Sequence, residues 1–188
     1  MASYVRYDKQ DFAARQAGGE LAKFVFFWGH RPSKTGEVSK SCFSQWWPSP
    51  FSADGIDYPT AEHWMMAEKA RLFGDEHIRR RILVAASPGA AKALGREITA
   101  FDQETWNDAR YDIVVTGNFL KFSQNPDLGA FLLGTGTRVL VEASPVDTVW
   151  GIGLEEKDPA AADPEQWKGE NLLGFALMSV RDLLAGQG

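Results

Sequence analysis

The sequence predicts a mainly helical α+β fold in a single domain, with only a few short β-strands. Three observations carry that expectation. Helix-start signals recur along the chain, each followed by a run of helical length, and four of these runs end at a glycine: Gly74, Gly95, Gly134 and Gly186. Only two or three short runs are rich in β-branched or aromatic residues. The chain has 188 residues, 44% hydrophobic and 24% charged, which suits one globule able to bury a core without disulfide or metal staples.

Taken in order, residues 1–20 are polar, with little amphipathic pattern, and read as a loosely attached lead. The domain is therefore placed at 24–186, behind a lead of 1–23. Phe24-Val25-Phe26-Phe27-Trp28 reads as a short strand. Residues 29–60 are rich in Gly, Pro and Ser and read as one long irregular stretch, and long loops in compact domains are often functional. Thr60 caps a helix over about 61–73, closed by Gly74. A second helix runs from near Asp75 to about Ala85. Ser87-Pro88 starts a third, ending at Leu94 before Gly95. Asp102 caps a long helix over about 103–123, and Asn125-Pro126 starts a short one ending at Gly134. Residues 138–142 read as a strand and 144–170 as turns. The last helix, about 171–185, carries one apolar stripe through Leu172, Leu173, Ala176, Leu177, Val180 and Leu184.

Composition excludes several function classes. The net charge is −5 and no basic block occurs, which argues against coating nucleic acid but leaves room for one nucleotide in a pocket. A single cysteine, Cys42, rules out an intrachain disulfide framework and multi-cysteine metal sites. His30, His63 and His77 show no metal-ligand spacing, and there is no phosphate-loop, dinucleotide or serine-nucleophile motif. No cofactor or metal is expected. No apolar run reaches the length of a membrane span, and the first residues lack the apolar core of a secretory signal, so a cytoplasmic location is expected. Seven tryptophans stand along the chain; each either packs in the core or offers a flat wall to a planar ring.

The most informative segment is Thr60–Phe73. Helical spacing places Glu62 and Lys69 in the apolar stripe with Met65, Met66, Leu72 and Phe73, and puts Trp64, Ala67, Glu68 and Arg71 opposite. Buried charge without a partner costs several kcal/mol. Seven residues correspond to about 10 Å of helix, too far for the two to neutralise each other directly. Either each has its own buried partner, Arg96 or Arg110 for Glu62, or both project into a cleft that holds substrate. A carboxylate and an amine in one hollow are tools of acid–base and covalent chemistry. In the first helical turn, the macrodipole favours an ionised Glu62 while burial favours a neutral one.

A second constellation runs from Val141-Glu142 through Asp147 to Trp150-Gly151-Ile152-Gly153. An acid beside an aromatic, on backbone that a ligand can approach closely, suits contacts to a sugar and a base. The pattern equally suits an Asx turn at Asp147 and a packed Trp150.

Together these stretches resemble the YbiA-like N-glycosidase family, also called NADAR. The resemblance rests on Ser44-Gln45-Trp46, on Tyr58-Pro-Thr-Ala-Glu62-His63 through Lys69-Ala70, and on Ser87-Pro88 with Leu94-Gly95-Arg96. It continues through Trp106, Lys121-Phe122, Val141-Glu142, Asp147, Trp150-Gly151 and Asn171-Leu-Leu-Gly174, covering about 24–184 in order. It implies a mainly helical domain that cleaves N-glycosidic bonds. Glu62, Lys69 and Asp147 fall on catalytic positions. Either Glu62 or Asp147 would be the acting carboxylate, and the family's tryptophan falls on Trp106, which packs or stacks on the base; Trp46, Trp150, Gly151 and Arg96 are candidate substrate contacts beside it, Arg96 as a phosphate contact or a structural ion pair. The implied substrates are phosphoribosylamino-pyrimidine intermediates of riboflavin synthesis or, alternatively, ADP-ribose attached to guanine. Nucleic acid then enters only as a modified substrate. A non-catalytic module binding ADP-ribose or a nucleotide is the remaining alternative. Lys69 would act either as a fixed charge or as an amine forming a Schiff base with ring-opened ribose. Residues 30–43 and 155–168 look longer than in the shortest members and are expected to shape the pocket.

Overall fold

The computed structural model describes residues 3–20 and 22–186. It is predominantly helical, as expected, with seven α-helices and four short strands among the described residues. Tertiary contacts gather the chain into two compact units, Gln45–Pro126 and the paired segments Met1–Ser44 and Asp127–Gly188.

The Gln45–Pro126 unit is built around helix α2, Ala61–Leu72. Its residues are mostly good helix formers, and the Thr60 hydroxyl accepts from the His63 amide at its start. Every residue from Ala61 to Glu68 is buried. The single apolar stripe expected for this helix is therefore corrected. Ala67, Trp64 and Glu68 are buried on the side expected to be polar, while Leu72 is 36% exposed. The reason is that α3 (Glu76–Leu83), α4 (Pro88–Leu94) and α5 (Gln103–Gln124) all pack against α2, leaving its first two turns no solvent face. Two glycines permit the approach. A Cβ at Gly117 of α5 would lie 2.3 Å from Trp64 Cδ1, and one at Gly95 would lie 2.2 Å from Met66 Sδ. The stretch 29–60, expected to be irregular, contains a hairpin of β2 (Phe51–Ala53) and β3 (Ile56–Tyr58). Asp54 and Gly55 both have left-handed φ, 50° and 76°, as a tight hairpin turn of the favoured twist requires. Phe51 stacks on its cross-strand partner Tyr58 at 5.7 Å.

In the other unit, the strand β1 (Phe24–Phe27) pairs in parallel with β4 (Val139–Glu142), from Phe24 opposite Val139 to Phe27 opposite Glu142. Helix α7 (Leu172–Ala185) lies on β4. Gly174 allows this: a Cβ there would be 2.1 Å from the Leu140 carbonyl oxygen. All residues of α7 from Leu173 to Arg181 are buried, not one stripe alone. The helix α6 (Pro126–Leu133) has the expected bounds within a residue.

The segment expected to be a loose lead is tied down. Lys9–Ala17 form helix α1, capped by the Asp8 side chain. Phe12 is buried and stacks on Phe175 at 5.5 Å. The Ser179 hydroxyl donates to the Val5 carbonyl at 2.6 Å, and the Tyr7 hydroxyl donates to Asp182 at 2.6 Å. Burial and the Asp182 carboxylate push the Tyr7 pKa up to about 12. The helix has little apolar pattern because Phe12 is its one buried residue.

Candidate active site

Glu62 sits at the second position of α2 and is 2% exposed. Its backbone amide donates to the Gln45 carbonyl at 3.0 Å. The Gln45 side-chain amide in turn donates to Asn118 Oδ1 at 3.0 Å, and Asn118 Nδ2 donates to the Val114 carbonyl at 2.8 Å. His63, also buried, completes the anchoring. Its Nε2–H donates to the Ala85 carbonyl at 3.1 Å, so Nδ1 accepts from the Thr60 hydroxyl at 2.8 Å. Burial lowers the His63 pKa, the Ala85 hydrogen bond opposing it. Glu62 thus extends from a helical turn fixed on both sides, a rigid base for a functional carboxylate.

Lys69, two turns further on, is half-buried. Its ammonium donates to the Gly95 carbonyl at 3.0 Å. It lies 4.3 Å from the ring centre of Phe101 and 5.5 Å from that of Trp106. Burial lowers its pKa, while the carbonyl and the two ring faces favour the cation. Trp106 is buried and is one of these walls. Trp46 is partly exposed and lies against α4, where its ring would be 3.5 Å from a Cβ at Gly89. Arg96 is exposed, just past the end of α4. The structure therefore brings Lys69 and Trp106 together and leaves Arg96 at the surface of this unit.

In the other unit, Asp147 closes an Asx turn. Its Oδ1 accepts from the amides of Val149 at 2.9 Å and Trp150 at 2.8 Å. Trp150 is partly exposed and Gly151 is buried. A Cβ at Gly151 would lie 2.8 Å from the Glu142 carbonyl oxygen. Asn171, fully buried and left-handed at φ 56°, binds this turn to the strand. Its Oδ1 accepts from the Glu142 amide, its Nδ2 donates to the Leu140 carbonyl, and its own amide donates to the Gly151 carbonyl. Beside the turn opens a cavity of about 560 Å³ lined by Pro145, Gly153, Glu155, Lys157 and Lys168. Residues of the 155–168 loop thus line a cavity next to the glycine turn.

Three buried polar residues were given no site role by the sequence, Gln45 and Lys121 standing only within the matching stretches and Asn118 nowhere. Lys121 of α5 is fully buried, with its Nζ 5.0 Å from the Phe122 ring centre. Its signal was its place four residues after Gly117, on the face α5 turns inward. Gln45 and Asn118 carry no comparable signal, since buried amides look like surface amides in a sequence. Among the described residues, no group of three or more His, Cys, Asp or Glu is placed to hold a metal ion, and no helix is long and apolar enough to cross a membrane. Cys42 is fully buried.

Comparison with known proteins places this arrangement. The model of the NADAR domain matches residues 26–185. The chain belongs to the NADAR family. N-glycosidase R617 of Acanthamoeba polyphaga mimivirus is 42% identical over 168 residues, covering 87% of this chain and 97% of that one. N-glycosidase YbiA of Escherichia coli strain K12 is 33% identical over 145 residues, covering 77% and 80%. The NMR structure of the E. coli protein YbiA superposes with a TM-score of 0.71 at 28% identity, over 89% of this chain and 88% of that one. The NADAR match and these N-glycosidase relatives support a hydrolase in general terms.

Proposed function

We propose that the protein hydrolyses the N-glycosidic bond of a phosphoribosylamino-pyrimidine intermediate of riboflavin synthesis. Water adds at the anomeric carbon, the C–N bond breaks, and a proton passes to the departing base; the products are the free diaminopyrimidine and ribose 5-phosphate. Positive charge develops on the sugar as the bond opens, and a preorganised carboxylate stabilises it and orients the water. The observation that carries this reading is Glu62, a carboxylate 2% exposed on a turn fixed by the Gln45 carbonyl and the Thr60–His63 pair.

Lys69 serves as a fixed positive charge for the phosphate or a ring hydroxyl. The Gly95 carbonyl and the faces of Phe101 and Trp106 support that role, because all three attract the ammonium. Asp147 shapes the turn that presents Trp150 and Gly151, since one of its oxygens already holds two backbone amides. Trp46 and Trp106 offer aromatic walls, and Arg96 offers an exposed charge for phosphate.

One observation favours a second course for Lys69: burial lowers its pKa. The neutral amine would attack C1 of ring-opened ribose, expel the base and leave an imine that water then hydrolyses. Borohydride trapping during turnover separates the two. A substrate-dependent adduct at Lys69 supports the imine, and its absence supports the charge.

The test of substrate is a side-by-side incubation of the pure protein with ribosylaminopyrimidine phosphate and ADP-ribosylated guanosine, following free base by mass spectrometry. Faster release from the pyrimidine is expected. Faster release of guanosine from its ADP-ribose would replace the substrate assignment. Tight binding of both with no product on prolonged incubation would make the protein a binding module.

A further inference from the structure

A partly exposed phenylalanine is held over the Lys69 ammonium by a loop that is itself strained. Phe101 is 42% exposed, yet its ring centre is 4.3 Å from Lys69 Nζ, nearer than that of Trp106. The residue before it, Ala100, has φ 53°. A side chain bearing Cβ is disfavoured in that left-handed region, and such strain persists only where surrounding contacts fix it. Those contacts are visible on both sides. Asp75 accepts from the Thr99 amide at 3.0 Å and from the Thr99 hydroxyl at 2.9 Å. Immediately after Phe101, Asp102 caps α5 by accepting from the Thr105 amide at 2.8 Å. Between these two anchors the chain has room for one turn only, and it is the turn that lays Phe101 across Lys69. Phe73 meets Phe101 edge-on at 5.2 Å, which limits rotation of the ring.

A loop made for stability alone would place a glycine at position 100 and a polar residue at an exposed 101. We infer that Phe101 is a positioning residue for substrate binding, acting through Lys69. Its ring face and the Gly95 carbonyl hold the ammonium in one place, so that the charge meets the anionic part of the substrate without first having to be ordered. The inference rests on the proposed role of Lys69 as a charge in the site and adds a residue that governs KM more than kcat.

The experiment compares Phe101→Leu, Phe101→Tyr and Lys69→Met in the full chain, with the ribosylaminopyrimidine phosphate as substrate and the melting temperature measured for each. Leucine keeps bulk and loses the ring face; tyrosine keeps the face. Phe101→Leu should raise KM by about three- to tenfold with little change in kcat, and Phe101→Tyr should restore the parent KM. Lys69→Met should raise KM further. If Lys69→Met impairs turnover while Phe101→Leu matches the parent, the inference fails and the reading of Lys69 stands. If Lys69→Met itself matches the parent, the reading of Lys69 fails and takes the inference with it. If Phe101→Leu lowers the melting temperature and kcat together, and tyrosine does not restore KM, then Phe101 is packing only.

Discussion

The two acids at the centre of the functional reading stand in opposite surroundings. Glu62, in the Gln45–Pro126 unit, projects from the first turn of a helix whose residues from Ala61 to Glu68 are all buried, and its backbone amide donates to the Gln45 carbonyl. Asp147, in the other unit, stands in a turn that it makes itself, with one oxygen already accepting two amides. Environment divides labour between like residues. A carboxylate carried by a rigid element can do chemistry without the fold depending on it, whereas one that closes its own turn is part of the fold first.

The largest effect that would sharpen this contrast lies at Lys69. Replacing it with Met should lower kcat/KM by at least about a hundredfold, chiefly through KM, because the anionic part of the substrate loses its cation. Lys69→Arg should retain a measurable fraction if charge is what matters, and should be as inactive as Met if an imine forms. Steady-state rates of the two variants decide.

Next in size is a test of the packing that keeps α2 rigid. Gly117→Ala puts a Cβ 2.3 Å from Trp64 Cδ1 and 2.7 Å from its Nε1, the atom that donates to the Ile113 carbonyl. Overpacking of this kind costs about 1–3 kcal/mol, read as a lower midpoint in urea with an unchanged slope. An unchanged midpoint would mean that the helices have room to move apart and that α2 is not held as tightly as described.

Asp147 offers the direct break of the comparison. Asp147→Ala removes the acceptor of two amides and should destabilise by about 1–2 kcal/mol. Asp147→Asn keeps an acceptor oxygen and should retain both fold and most of the activity. If Asp147→Asn melts like the parent but releases no base, Asp147 is a catalytic carboxylate and the division of labour argued here is wrong.

The smallest effect concerns pH. The folded-state pKa of His63 is lowered below its ordinary 6.5 by burial. The unfolded chain therefore binds a proton at a higher pH than the folded chain does. The contribution of His63 is fully present above about pH 6.5 and is lost as pH falls from there through the folded value. Denaturation midpoints of the parent should decline over that interval more steeply than those of His63→Gln. Parallel curves would mean that the ring is not held neutral between Thr60 and Ala85.

Much of this fold is legible in the sequence because its helix ends are chemically marked. Thr60, Ser87 and Asp102 each cap the helix that follows, and the bounds of α4 agree to the residue. The hairpin was hidden because its strands are three residues each, too short for alternation to register, although Asp54-Gly55 is a turn pair with a clear mechanism. Helix α1 was hidden because one phenylalanine among polar residues makes no periodic pattern. The burial of Glu62 was legible as a charge among apolar neighbours. The polar support behind it was not: Gln45 and Asn118 acquire meaning only when chain segments far apart in sequence are brought together. The same holds for Phe101, whose importance lies in the backbone angle of Ala100.

Under the proposed function, the shielded Glu62 carboxylate on α2 drives base release. Its most direct test is Glu62→Gln, with free base followed by mass spectrometry on the substrate that the parent turns over best, alongside thermal melting of both proteins. The account predicts a melting temperature matched to the parent and a rate of base release lower by at least about two orders of magnitude. Equal turnover at matched melting would contradict it and remove Glu62 from the chemistry.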